Sequence, residues 1–342
     1  YILRDFPTLG AYFIYNGTIL KVEKIWAIAQ YKLGELVVES TTELNCTGCN
    51  YIFLPLGAVN FSFIYQTFGA YRNVVVEDGY ISIVPSLGGP PIFDVELRNS
   101  SYLMLENVPV GYKLKIYCEY VTPYGLPVYA VVEVVFNDTL QEYDVLLNIA
   151  DLSIVVVDGR NEILPNATIE LMIGTTTIYK QTNESGIVTF YHLPLDVAIK
   201  VRGKIGGEIE EISSEYMDVD IPLGGISITI QMPAVYVSLE LVDEENMPIH
   251  NATILLKTGL ATLEKTTNAS GIADLGLLEY GEYLLTIYVS YGGSRIPLNY
   301  TDAPFLVSSE TPEIIRIPTR LGEISVEIAI STKEVVVGEN ST

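Results

Sequence analysis

The sequence predicts an all-β chain built of tandem antiparallel β-sandwiches, and three observations carry that prediction. Apolar and polar residues alternate with a period of two along most of the chain, the pattern of half-buried strands. Val235, Val237, Leu239 and Leu241 alternate with Tyr236, Ser238 and Glu240, and ISITIQM from Ile226 and ISVEIAI from Ile324 repeat the pattern. These runs are separated by turn signals such as Asp158-Gly159, Ser185-Gly186, Ser270-Gly271 and Gly292-Gly293, a spacing typical of sandwiches. Finally, two stretches are one module at a constant offset of 85 residues: Asp158, Asn166, Thr168, Thr182, Asn183, Ser185 and Gly186 recur as Asp243, Asn251, Thr253, Thr267, Asn268, Ser270 and Gly271.

Taken in order, the chain divides as follows. Residues 1–74 form a divergent N-terminal β region with room for a donated strand; its Lys21 run, KVEKIWAIAQYKLGEL, is the best helix candidate but reads ambiguously. Tyr1 opens into YILRDFPTLGAYF without a basic segment and apolar run, so the chain reads as a mature product. A looser first sandwich is placed at 75–149, because NVPVGYKLKIYCEY resembles LLEYGEYLLTIYVS and Gly111 lies two repeats before Gly281. The clear repeats follow at 150–232 and 233–319. Each runs from a first strand (Leu152 to Val157, Val235 to Val242) through a turn ending in Asn-Ala-Thr, a second strand and a hairpin at Asn-x-Ser-Gly. Gly186 and Gly271 supply the positive φ such a hairpin needs. ISITIQM and EIIRIPT close the two units. Residues 320–342 then hold an orphan strand, with Ile324, Val326, Ile328 and Ile330 on one face, which cannot satisfy its own backbone groups in water. It is expected either to complete a sheet in a neighbouring copy or to begin a module that the native chain continues.

Composition narrows the setting. With 342 residues and 49% apolar content there is material for several cores. Forty-two acids against 19 bases give a net charge of −23, which argues against nucleic acid or anionic membrane as partners. No cofactor is called for, although carboxylates in an acidic extracellular protein are candidate Ca²⁺ ligands. The uncharged stretch from Asn45 to Tyr71 is interrupted by Asn50, Pro55, Gly57, Asn60 and Gln66, so no membrane span is expected. Cys46 and Cys49, in CTGC, suit a small loop disulfide outside the cell; zinc would need further ligands. Cys118 shares a strand face with Leu114, Ile116 and Tyr120 and reads as a core residue, although pairing with one of the CTGC cysteines stays open.

Sequons are dense. N-x-[ST] occurs at Asn16, Asn45, Asn60, Asn99, Asn137, Asn166, Asn183, Asn251, Asn268, Asn299 and Asn340, 11 of the 17 asparagines. Random placement would give about 2. The chain is therefore expected to carry N-linked glycans on exposed asparagines, outside the cell.

The pattern V-D, a Pro shortly before N-A-T, T-N-x-S-G-I and an apolar turn before an aliphatic strand resembles the carboxypeptidase-regulatory-like and collagen-adhesin B-type modules. The resemblance covers about half the chain. It implies tandem Ig-like or transthyretin-like sandwiches on a microbial surface, and it speaks to fold rather than activity. The B-type family often carries a Lys-to-Asn isopeptide bond with its Lys on the first strand; LSIVVVD and VSLELVD contain no lysine, so that crosslink is not carried over.

Signals for catalysis are weak. His192 and His250 read as turn or surface residues, and no nucleophile, zinc or phosphate-loop motif occurs. Glu208, Glu210, Glu211 and Glu215 form an acidic cluster that reads best as a solvated loop. The chain is therefore expected to be a non-enzymatic structural glycoprotein of an archaeal-type surface, a filament or S-layer subunit polymerising through β-strand complementation. An adhesin or carbohydrate-binding stalk is the alternative.

Overall fold

Runs that alternate in sequence become strands. The computed structural model describes residues 56–319 apart from 87–89, 138–139, 260, 292 and 299, and before them Leu54 and six short strands. Those six are β1 (Ile2–Leu3), β2 (Tyr12–Tyr15), β3 (Thr18–Lys21), β4 (Trp26–Leu33), β5 (Leu36–Glu43) and β6 (Asn50–Tyr51). They pair antiparallel as β1 with β6, β2 with β3 and β4 with β5. The helix candidate is thus a hairpin: Ala29 and Val38 are buried while Ile28, Gln30, Val37 and Glu39 face outward, a period of two rather than 3.6.

The first sandwich comprises β7 (Leu56–Thr67), β8 (Ala70–Asn73), β9 (Gly79–Pro85), β10 (Phe93–Leu97), β11 (Tyr102–Pro109), β12 (Lys113–Val121), β13 (Pro127–Val135) and β14 (Leu140–Leu146). The second comprises β15 (Ile149–Val157), β16 (Thr168–Ile173), β17 (Thr176–Gln181), β18 (Ile187–Pro194), β19 (Ile199–Gly206), β20 (Glu211–Ser213), β21 (Met217–Val219) and β22 (Ile226–Gln231). The third comprises β23 (Ala234–Val242), β24 (Thr253–Lys257), β25 (Thr262–Thr266), β26 (Ile272–Glu279), β27 (Gly281–Tyr291), β28 (Ser294–Pro297), β29 (Ala303–Val307) and β30 (Ile314–Pro318).

All three share one topology. One sheet has the first strand between two others (β11-β7-β14, with β8 also on β7; β18-β15-β22; β26-β23-β30), and it faces a second sheet ordered β10-β9-β12-β13, β17-β16-β19-β20 with β21 also on β19, or β25-β24-β27-β28 with β29 also on β27. Inward side chains of both sheets fill one core per sandwich: Phe61, Phe63, Ile83 and Ile116 in the first, Leu152, Ile154, Leu171 and Phe190 in the second, Leu239, Ile254, Leu256 and Ile287 in the third. Each such side chain contributes about 1.5–3 kcal/mol through burial. All-β tandem sandwiches are therefore the architecture of this chain.

The structure departs from the sequence reading of the fold in four places. The first sandwich begins at Leu56 rather than at residue 75, because β7 pairs with β8, β11 and β14 and places Val59, Phe61 and Phe63 in the core. The sheets are not wholly antiparallel: the first and last strands of every sandwich run parallel, β7 with β14, β15 with β22 and β23 with β30. The stretch holding Glu208 to Glu215 is not all loop, since β20 and β21 both pair with β19. His192 is half-buried between two sandwiches rather than on the surface. The orphan-strand residues Ile324, Val326, Ile328 and Ile330 lie outside the described residues, as do Cys46 and Cys49.

Candidate functional site at the sandwich junctions

The repeated residues build turns. Asn183 Oδ1 accepts from the amides of Ser185 (2.9 Å) and Ile187 (3.0 Å), and Asn268 Oδ1 does the same for Ser270 (2.9 Å) and Ile272 (3.1 Å). Gly186 and Gly271 follow at φ 67° and 75°, as the hairpin predicted. Thr182 and Thr267 are buried and bind Ala167 and Ala252 amides at 2.9 Å, closing the turn onto the second strand. Asn166 and Asn251 hold left-handed backbones, φ 59° and 54°, which asparagine tolerates well.

All four sequon asparagines of the repeats are nevertheless exposed, as are Asn99 and Asn137. The amide nitrogen that a glycan would occupy is a different atom from the oxygen that braces each Asx turn. Asn60 differs. It lies half-buried mid-strand in β7, between Met104 and Glu142, and its Oδ1 is buried with no hydrogen-bond partner among the described residues, which contradicts its expected exposure. Asn16, Asn45, Asn299 and Asn340 lie outside the described residues.

What the repeat positions do not reveal is how sandwiches are joined. Only two residues separate β14 from β15 and β22 from β23. At the first junction Asp151, 2% exposed near the start of β15, accepts from Tyr65 Oη at 3.1 Å, Thr67 Oγ1 at 2.8 Å and the His192 amide at 3.0 Å. Two of those donors belong to the preceding sandwich. Burial, and then the Asp151 carboxylate, push the Tyr65 phenol up to about 12. His192 stands at φ 57° with Nδ1 2.8 Å from Tyr120 Oη and its ring edge-on to Tyr65, and burial lowers its pKa. Thr67 pairs with Gly224, and the next glycine, Gly225, holds φ 79° where an added Cβ would lie 2.7 Å from the Asp151 carbonyl. Alongside, Tyr124 from the β12–β13 hairpin accepts the Tyr191 amide, while Lys180 lies over the rings of Tyr124, Phe190 and Tyr191.

The second junction uses the same places with other chemistry. Asp158, fully buried, accepts the Arg160 and Glu162 amides, and Arg160 Nη2 reaches the Tyr236 carbonyl at 2.7 Å. The Gly159 amide donates to the Ala234 carbonyl at 2.8 Å, and the hydroxyl end of Tyr280 packs over Gly159, where an added Cβ would have to displace it. Glu208, exposed as expected of the acidic cluster, pairs with Lys265 at 2.9 Å and lies against Gly276. Both junctions are therefore short and hydrogen-bonded. Sequence reasoning missed Asp151; its only signal is a lone acid within the apolar run LLNIADLSIVVV.

Among the described residues no group of three or more His, Cys, Asp or Glu converges as a metal site would require, and no helix is long and apolar enough to cross a membrane. Cys118 is free and buried, and burial pushes its thiol up to about 12. Glu170 on β16 is held at about 2 by Arg202, with Tyr216 and Lys204 adding hydrogen bonds against the cost of burial.

No family model matches this chain, and no curated protein does. Among solved structures, it is similar to a streptococcal ancillary pilin at 13% identity over 78% of this chain and 99% of that one, TM-score 0.27. The major pilin subunit BcpA of Bacillus cereus is 11% identical over 78% and 99%, TM-score 0.24. A fimbrial assembly protein from Parabacteroides distasonis is 9% identical over 64% and 99%, TM-score 0.30. Scores this low establish no common arrangement of the whole chain.

Proposed function

We propose that this chain is a structural glycoprotein subunit of an extracellular, archaeal-type surface assembly, a filament or S-layer, whose copies join head to tail by β-strand complementation. The reading rests on how one sandwich passes the chain to the next. After each last strand one residue donates its amide to the end of the first strand's hydrogen-bonded ladder: Leu147 to Ile64, Met232 to Val157 and Thr319 to Val242, at 2.9, 2.8 and 2.8 Å. Two residues on, the chain turns into the next first strand, with Ile149 and Ala234 donating back to Leu147 and Met232.

Both ends of the chain repeat part of this handover. Leu56 donates to Leu54 at 2.8 Å just as Ile149 does to Leu147. Before Leu54, strand β6 is paired antiparallel with β1, and no strand among the described residues lies parallel beside it. At the other end, Ser325 follows Thr319 by six residues, as Ser153 follows Leu147 and Ser238 follows Met232, each serine flanked by aliphatic residues. The face of Ile324, Val326, Ile328 and Ile330 thus has the spacing of a first strand. Set beside the N-terminal segment of another copy, it would supply the parallel neighbour and a ladder of backbone hydrogen bonds. A head-to-tail contact of this kind builds an open filament unless it closes into a ring.

Exposed sequons on six asparagines support a glycosylated outer surface, and a chain made of junctions and cores supports a scaffold rather than a catalyst. One observation favours the adhesin alternative: Tyr80, Tyr117 and Tyr129 are exposed together on the outer face of the β10-β9-β12-β13 sheet, an aromatic platform suited to sugars. Electron microscopy of residues 1–319 beside the full chain tests the first reading. Polymers from the full chain alone support it; equal polymerisation by both removes the C-terminal segment as the linker. Monomeric full-length protein that binds glycans favours the adhesin.

A further inference from the structure

We propose that the parallel ladder between the first and last strands is the element of each sandwich that resists tension along the chain, and that it does so by shear. The idea extends the structural reading to a mechanical one. In the second sandwich the chain enters at the start of β15 and leaves at the end of β22, and these strands are parallel neighbours in register from Leu152–Ile226 to Val157–Gln231. Entry and exit therefore lie at opposite ends of one ladder. Tension between them slides β22 along β15 and loads all rungs at once. In an antiparallel hairpin pulled from its open end, the rungs would instead break one after another.

The geometry recurs in all three sandwiches, with ladders of different length. Seven residue pairs join β7 to β14, from Ala58–Leu140 to Ile64–Leu146. Six join β15 to β22, and five join β23 to β30, from Ser238–Ile314 to Val242–Pro318. The two-residue connections between sandwiches leave little slack outside the ladders. The first strands LSIVVVD and VSLELVD carry no lysine for a covalent crosslink at that place, so in these repeats hydrogen bonds there carry the load.

Single-molecule force spectroscopy on the full chain, pulled from its two termini, tests this. Each sandwich should release about 300 Å, at up to about 3.6 Å per residue, and the five-pair sandwich should open at the lowest force. Met232 donates to Val157, so by alternation the amides of Ile230 and Ile228 also point toward β15, whereas that of Thr229 points to the open edge. Ile228→Pro should move one event below the weakest of the unsubstituted chain. Thr229→Pro should leave the order unchanged, as should Val201→Ala, which weakens the core of the opposite sheet. The proposal is overturned if either of those lowers an event as far as Ile228→Pro.

Direction gives a second test that alters no core residue. Handles at Asn148→Cys and Asp196→Cys, both exposed, would peel β15 from β18 at one end, since Ile149 faces Pro194 there. The second sandwich should then open at a several-fold lower force than through its termini; equal forces would refute a shear ladder. The response belongs to the single chain, so it can fail while polymerisation stands, and the reverse.

Discussion

Replacing Asp151 by alanine should unlock the first junction, and the structure sets the size of the effect. Three donors converge on its carboxylate at 2.8–3.1 Å: the Tyr65 and Thr67 hydroxyls and the His192 amide. A buried donor left without a partner costs about 1–3 kcal/mol, and the two hydroxyls can rotate toward other acceptors, so the net loss is about 3 kcal/mol. At about 2–4 °C per kcal/mol for a cooperative unit as large as two sandwiches, the transition of the coupled first and second sandwiches should fall by about 6–12 °C. Differential scanning calorimetry of the full chain resolves this if the third sandwich, which touches none of these groups, melts unchanged. Tyr65→Phe removes one bond only and should shift the same transition by a third of that or less. A shift for Asp151→Ala of about 1 °C, or an equal shift in every transition, would refute the idea that this carboxylate fastens two sandwiches together.

Acid should weaken the second sandwich through Glu170. Its pKa is depressed from 4.5 to about 2, so its stabilising effect is complete above the unfolded value and disappears as pH falls from there through the folded one; Glu170→Gln should flatten stability between pH 4.5 and 2, measured by thermal melts. Cys118 should resist thiol reagents in the folded chain and react only in denaturant, read by mass spectrometry. Glycopeptide analysis of native material should find sugar on Asn99, Asn137, Asn166, Asn183, Asn251 and Asn268 but not on Asn60, whose side chain is confined mid-strand. Gly225→Ala should destabilise the first junction by at least about 1 kcal/mol, because its φ is positive and the added Cβ would meet the Asp151 backbone.

Much of the fold was legible because β structure writes its burial directly into alternation. The two strong repeats gave their hairpins through Asn183, Gly186, Asn268 and Gly271, whose side chains or backbones are needed by the turn itself. The first sandwich was harder: it lacks those turn residues, and the uncharged run containing β7 offered no boundary at residue 56. Alternation names the face on which a residue lies but not the neighbouring strand, so the parallel first–last pairing was invisible. Asp151 was missed for a related reason. Its partners Tyr65 and Thr67 lie more than 80 residues away, in another sandwich, and no local pattern links them.

Head-to-tail joining is tested most directly by cross-linking an equal mixture of ¹⁴N- and ¹⁵N-labelled chains under assembling conditions. If the C-terminal strand enters another molecule, links from Lys333 to Lys21, Lys24 or Lys32 should appear with mixed isotopes. Links of that kind found only between residues bearing the same isotope would show that the strand stays with its own chain.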